Sequence, residues 1–197
     1  IEADLYIKRE FNGTNGQETG VYKGSIVPVP GVLSLTLPQN VSAAGSDLII
    51  SSFFSSNVQV WNPTDGVTAD FASQVAAPLD AVRLNSGEII VSDIGIPEGS
   101  GGGIYRMSDD AQILLFWGAA SGLATDGEKV WAADWGAGVI FEINFETEPP
   151  TSAPVVFGLS GPEGITLDNE GRLLVYETGG PLGGDPKVIR IDLKTGD

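Results

Sequence analysis

Oxygen is nearly the only donor element this chain offers for chemistry. Its 197 residues include 26 Asp and Glu against 10 Lys and Arg, a formal net charge of −16, with neither His nor Cys. Without imidazole or thiolate the chain cannot build a Ser-His-Asp or Cys-His nucleophile system, a histidine haem ligand, or a zinc site of the nitrogen-and-sulfur kind. Carboxylates and amides can instead surround a hard cation such as Ca²⁺ or another divalent ion, or move protons. The residues placed to do so are Asn40, Asp80, Asp93, Asp134, Glu163 and Glu177, and the aromatic residues to weigh with them are Phe53, Phe54 and Trp135.

Charge and composition exclude other classes. Charged residues make up only 18% of the chain and hydrophobic ones 42%, so the acidity reflects scarce lysine and arginine and not an acidic tail. Such a surface repels phosphate backbones, which argues against nucleic acid as a partner. No apolar run approaches the ~18 residues that read as a membrane-spanning helix, so no membrane insertion is expected. The run Gly99-Ser-Gly-Gly-Gly103 is followed by neither a helical pattern nor Lys-Ser/Thr, and no nucleotide site is expected from it. The first residue is Ile1 and not Met, from which we expect a processed, trimmed or partly read chain. The expected location of the mature protein is extracellular or periplasmic.

The elements that must position these residues come from a repeat. The segments Asp47-Leu-Ile-Ile-Ser-Ser52, Glu88-Ile-Ile-Val-Ser-Asp93, Lys129-Val-Trp-Ala-Ala-Asp134 and Arg172-Leu-Leu-Val-Tyr-Glu177 end 41, 41 and 43 residues apart. Each is preceded by a short strand and a turn closing on Gly45, Gly87, Gly127 or Gly171. Each is followed by an alternating strand, and three copies carry a fourth strand, around Val67–Phe71, Gln112–Phe116 and Ala153–Phe157. No sustained helical spacing occurs. Four short antiparallel strands every ~40–45 residues describe a blade of a β-propeller, so the expected fold is all-β.

The wording of the last copy, Gly161-Pro-Glu-Gly-Ile-Thr-Leu-Asp-Asn-Glu-Gly-Arg-Leu-Leu-Val-Tyr-Glu-Thr-Gly179 followed by Val188-Ile-Arg-Ile-Asp192, resembles NHL-repeat and gluconolactonase/regucalcin-like propellers. Pro78 through Asp93 looks like a second copy. The resemblance implies a mostly six-bladed ring. At about 41 residues per repeat this chain holds only about 4.8 repeats, so an incomplete ring or a truncated chain is expected. The expected organisation is a single propeller domain over 1–197. It comprises a partial blade at 1–37, blades at about 38–77, 78–120 and 121–161, and a partial blade at 162–197.

Propeller connectivity gathers the loops entering the inner strands and the loops after the second strands at one channel mouth. The resemblance further implies one divalent cation there, with Glu163 and Asn40 as ligands and Asp80 or Asp134 as ligand and catalytic acid, in a lactonase-type hydrolase. The same acids also fit a purely structural role: Asp93, Asp134 and Glu177, at the ends of second strands, can bond the N–H groups of the following turns. Read as a binding face, the mouth offers Trp135, Phe53, Phe54, Asp93 and Glu177 to a small molecule, glycan or protein. Asn12-Gly-Thr14, on an expected outer hairpin, is a glycosylation acceptor pattern if the source is a eukaryotic secretory pathway.

Three functions therefore stand side by side. The first is a secreted or cell-surface binding or scaffold propeller, the second a divalent-cation-dependent lactonase-type hydrolase, and the third a structural subunit whose open ring is completed by another chain or by oligomerisation. Haem, nucleotide and zinc are expected in none of them.

Overall fold

In the computed structural model the described residues are 3–9, 20–26, 38–71, 75–95, 102–107, 112–116, 119–145, 147, 149–180 and 183–195. The chain forms two compact units, 1–30 and 31–197. In the first, β1 (Ala3–Arg9) and β2 (Gly20–Ile26) pair antiparallel, with Ala3 opposite Ile26 and Arg9 opposite Gly20. Asn12 lies outside the described residues.

Among its described residues the second unit holds four antiparallel sheets, each made of strands consecutive in sequence. Sheet one contains β3 (Pro38–Ala44), β4 (Asp47–Ser52), β5 (Asn57–Asn62) and β6 (Gly66–Asp70). Sheet two contains β7 (Pro78–Arg83), β8 (Ile89–Asp93), β9 (Gly103–Met107) and β10 (Gln112–Phe116). Sheet three contains β11 (Ala120–Thr125), β12 (Val130–Asp134), β13 (Val139–Asn144) and β14 (Thr151–Val156). Sheet four has three strands among the described residues: β15 (Pro162–Leu167), β16 (Leu173–Glu177) and β17 (Lys187–Ile191). The glycines expected to close the turns between first and second strands, Gly45, Gly87, Gly127 and Gly171, have φ from 68° to 97°. Only a residue without a Cβ takes that conformation freely.

Successive sheets pack face to face through three apolar layers. Ile49, Val58 and Val60 of sheet one meet Ala81, Val91 and Tyr105 of sheet two. Ile90 and Ile104 then meet Leu123, Val130 and Ala132 of sheet three. Trp131, Ala133 and Ile140 meet Ile165, Leu173 and Val175 of sheet four. A sheet covered on both faces needs a strand that is apolar or small throughout, and every residue of β8 and of β12 is buried. At about 1.5–3 kcal/mol for each fully buried large aliphatic side chain, these layers are the main stabilising contribution in the unit.

Among the described residues, sheet four is covered on one face only. Tyr176 and Val188 form a cross-strand pair and are 43% and 68% exposed. Their counterparts in sheets two and three, Ser92 with Ile104 and Ala133 with Ile140, are all at 0%.

Inner strands β3, β7, β11 and β15 lie side by side in that order. Each carries a register shift near its start, at Pro38/Asn40, Pro78/Asp80, Ala120/Leu123 and Pro162/Gly164. Three of them begin on proline, which has no N–H to leave unpaired at a strand's first residue.

Candidate functional site

The four bulges build a site. A bulge puts two residues against one on the neighbouring strand and re-aims a side chain. Here the bulged pairs Gln39-Asn40, Leu79-Asp80, Ser121-Gly122 and Glu163-Gly164 line one cavity of about 310 Å³, closed on one side by Tyr176. The same two positions of all four inner strands therefore face a common space.

Asp80 is the buried carboxylate of this cavity, 3% exposed. Its Oδ1 accepts from the N–H of Ala81 at 2.7 Å and the hydroxyl of Ser42 at 3.3 Å, and its Oδ2 accepts from the N–H of Leu123 at 2.8 Å. It thus ties β7 to β3 on one side and to β11 on the other. Burial pushes its carboxyl up from 3.8 to about 6, against hydrogen bonds from Leu123, Ala81, Asn40 and Ser42 that act to lower it. Asn40 is half-buried, and its Oδ1 accepts from the N–H of Val41 at 2.8 Å.

Glu163 lines the cavity in an exposed position, and its carboxylate has no hydrogen-bond or ion-pair partner among the described residues. The two glycines set the room available. A Cβ on Gly122 would stand 2.3 Å from the Glu163 carbonyl oxygen, so only glycine lets β11 and β15 approach so closely. A Cβ on Gly164 would meet only the Cβ of Tyr176, at 3.8 Å, and the space above it is open.

Serine hydroxyls join the inner strands to neighbouring sheets. Ser51 donates to the Leu79 carbonyl at 2.7 Å, and Ser92 donates to the Ser121 carbonyl at 2.5 Å while accepting the Asp80 N–H at 3.1 Å. In sheet three the corresponding second-strand residue is Ala133, and Ser121 itself donates to the Pro162 carbonyl at 2.8 Å. In sheet four the position is Tyr176, whose exposed side chain borders the cavity.

The acids at the ends of second strands are engaged with backbone. Asp93 accepts from the N–H groups of Ala76 at 2.7 Å, Ala77 at 3.0 Å and Gly95 at 2.7 Å. Asp134 accepts from Ala137 at 2.9 Å. Glu177 accepts from Ser160 and pairs through Oε2 with Lys187 at 3.1 Å. None of the three lines the cavity. Of the two acids weighed for catalysis, Asp80 faces it and Asp134 does not.

Trp135 is half-buried, and its indole N–H donates to Thr178 Oγ1 at 2.9 Å, which packs it across sheets three and four. Phe53 and Phe54 meet edge to face at 4.8 Å, and Phe54 is 65% exposed. No group of three or more acidic side chains among the described residues is placed to hold a metal ion.

A larger groove, about 660 Å³, lies at the opposite end of sheets two and three, lined by Asn85, Ser86, Glu88, Lys129, Glu142 and Phe145 among others. Lys129 pairs there with Glu142 at 2.7 Å and Glu88 with Arg106 at 3.2 Å, and Glu128 lines the groove as well.

This succession of twisted antiparallel sheets matches known structures. The nidogen/laminin complex aligns with 90% of this chain at TM-score 0.66 and 18% identity, covering 66% of its own. A catalytically inactive virginiamycin B lyase from Staphylococcus aureus, solved with quinupristin, aligns with 100% at TM-score 0.61 and 14% identity, covering 73% of its own. The fold is a β-propeller. A luciferin-regenerating enzyme adds 81% of this chain at TM-score 0.53 and 19% identity, with 59% of its own chain covered. The propeller described here thus spans roughly three fifths to three quarters of these matched chains. No protein-family model matches the sequence, and comparison with curated proteins gives no match. The matched structures include enzymes as well as a protein–protein complex, so the fold leaves catalysis and binding both open.

Two features of the site escape a reading of residue types. Asp80 and Glu163 both look like acids at a blade entrance, yet the register makes Asp80 the counterpart of Gly164, and Glu163 that of Leu79. Tyr176 reads as an ordinary strand residue. Counting two residues on from Pro38, Pro78 and Pro162 gives Asn40, Asp80 and Gly164, a signal that reveals the equivalence.

Proposed function

We propose that this propeller is a binding protein, taking a small ligand or a projecting side chain of a partner in the cavity formed by the inner-strand bulges. The observation that carries this reading is the common lining of the cavity by equivalent positions of all four inner strands, with Glu163 held at its wall and no partner of its own among the described residues. The engagement of the other acids supports binding over hydrolysis. Both oxygens of Asp80 already accept from protein donors, and Asp134 is tied to its own turn. A general base needs a lone pair directed at the proton it takes.

The test is a fragment screen by ligand-observed NMR on wild type and on Gly164→Leu, whose side chain fills the open space above Gly164. Fragments that bind wild type and lose binding to the variant support the reading; binding indifferent to the substitution contradicts it.

A second reading, a divalent-cation-dependent lactonase-type hydrolase, has one observation in its favour. Asn40, Asp80 and Glu163 border the same cavity, and the Asp80 carboxyl is raised into the range where an acid–base group works near neutrality. That reading expects the thermal melt to fall in EDTA and recover with Ca²⁺, and lactone hydrolysis to stop in Glu163→Gln.

A further inference from the structure

The lining of the bulge cavity distinguishes among ligand charges. Among the described residues its lining is Gln39, Asn40, Leu79, Asp80, Ser121, Gly122, Glu163, Gly164 and Tyr176, with two carboxylic side chains and no cation. Lys187, at the start of β17, is paired with Glu177 and is not among them. An anionic ligand would find no counter-charge here.

A hard divalent ion fits poorly as well. Ca²⁺ takes six to eight oxygens at roughly 2.3–2.6 Å, whereas the Asp80 carboxylate already accepts from Ala81, Leu123 and Ser42, and Asn40 Oδ1 accepts from Val41. That leaves Glu163 as the one carboxylate of the cavity without a partner among the described residues. An ammonium group asks for less. Its N–H donors are met by one carboxylate and one or two amide or hydroxyl oxygens, in a charge-assisted bond that is shorter and stronger than a neutral one. An aromatic ring near the cation adds attraction through its negative face. Glu163, Gln39 and Tyr176 supply this set among the residues that line the cavity.

We infer that the cavity selects a ligand bearing a protonated amine, with Glu163 as its counter-ion and Tyr176 as the aromatic wall. The inference rests on the binding reading above and adds the charge class of the ligand. A free amine and a lysine side chain presented by a partner share this chemistry.

The test uses three benzene-ring probes of similar size on the full chain: benzylammonium, benzyl alcohol and benzoate, each titrated at low salt by ligand-observed NMR. Benzylammonium is expected to bind wild type, to bind at least tenfold more weakly to Glu163→Gln, and to lose binding to Gly164→Leu. Benzyl alcohol and benzoate are expected to bind at least tenfold more weakly than benzylammonium. Equal binding of all three probes, lost in Gly164→Leu but unmoved in Glu163→Gln, would overturn the amine inference and leave the site standing. Benzylammonium binding that survives Gly164→Leu would overturn the site itself. Absence of benzylammonium binding together with a melt raised by CaCl₂ would overturn the inference in favour of the divalent cation. Absence of both would overturn it outright.

Discussion

Replacing Asp80 by asparagine tests how a buried carboxylate is kept between three inner strands. The folded protein holds the Asp80 proton up to about pH 6, while the unfolded chain releases it near 3.8. Between those values the folded state binds more protons at Asp80, so the contribution of Asp80 to stability is greatest below the lower value and is lost as pH rises through the upper one. At about 1.36 kcal/mol per pH unit, ionising Asp80 costs the folded state roughly 3 kcal/mol in all. About 2 kcal/mol of this falls between pH 4.5 and 7.5.

In Asp80→Asn the substituted side chain carries no charge at any pH. Its amide oxygen would still accept one backbone hydrogen bond, but its amino group would face either the Ala81 or the Leu123 N–H and leave that buried donor unpaired, at about 1–3 kcal/mol. Near pH 7.5 the two effects offset, and wild type and Asp80→Asn are expected to unfold at similar urea concentrations. Near pH 4.5 the wild type should be the more stable by about 2 kcal/mol relative to its standing at pH 7.5. The assay is urea unfolding of both proteins across this range, with linear extrapolation to water. The other carboxylates titrate in both proteins and cancel in the difference. A difference that stays constant within about 0.5 kcal/mol would refute the reasoning, since Asp80 would then titrate alike in the folded and unfolded states.

Further consequences follow from the same geometry. Asp93→Ala removes the acceptor for three backbone N–H groups and should destabilise the fold by about 2–5 kcal/mol in urea unfolding, with little effect on benzylammonium binding, because Asp93 lies outside the cavity. Ser92→Ala leaves the buried Asp80 N–H without its acceptor and the Ser121 carbonyl without a donor, at about 1–3 kcal/mol in the same assay. Gly122→Ala forces a Cβ against the Glu163 carbonyl and should cost about 3 kcal/mol or more, whereas Gly164→Ala should lie within about 1 kcal/mol of wild type. Equal effects of the two glycine substitutions would contradict the close approach of β11 and β15.

Much of the architecture is legible in the sequence because each repeat carries its own punctuation. Gly45, Gly87, Gly127 and Gly171 mark turns that demand positive φ, and the runs ending at Ser52, Asp93, Asp134 and Glu177 are second strands. The runs Ile89–Asp93 and Val130–Asp134 are continuous where a strand is covered on both faces. Backbone N–H groups occupy Asp93, Asp134 and Glu177, but only Asp134 and one bond of Asp93 serve the following turn as expected; the other N–H groups, of Ala76, Ala77 and Ser160, precede the inner strand.

The site is harder to read. A bulge adds a residue without altering the residue types on either side, so alternation alone does not reveal it. Its effect is to place Asp80 opposite Ser92 and to align it with Gly164, leaving Glu163 at a different position from the one its chemistry suggests. Tyr176 joins the cavity because its side chain is left exposed on that face of sheet four, a property of packing that no local pattern encodes.

The most direct measurement of the central claim is a ¹⁵N–¹H correlation spectrum of the full chain titrated with benzylammonium. Shifts are expected to concentrate at the amides of Asn40, Ser121, Gly122, Glu163, Gly164 and Tyr176. Shifts concentrated instead at Asn85, Ser86, Lys129 and Phe145, or absent throughout, would contradict that claim.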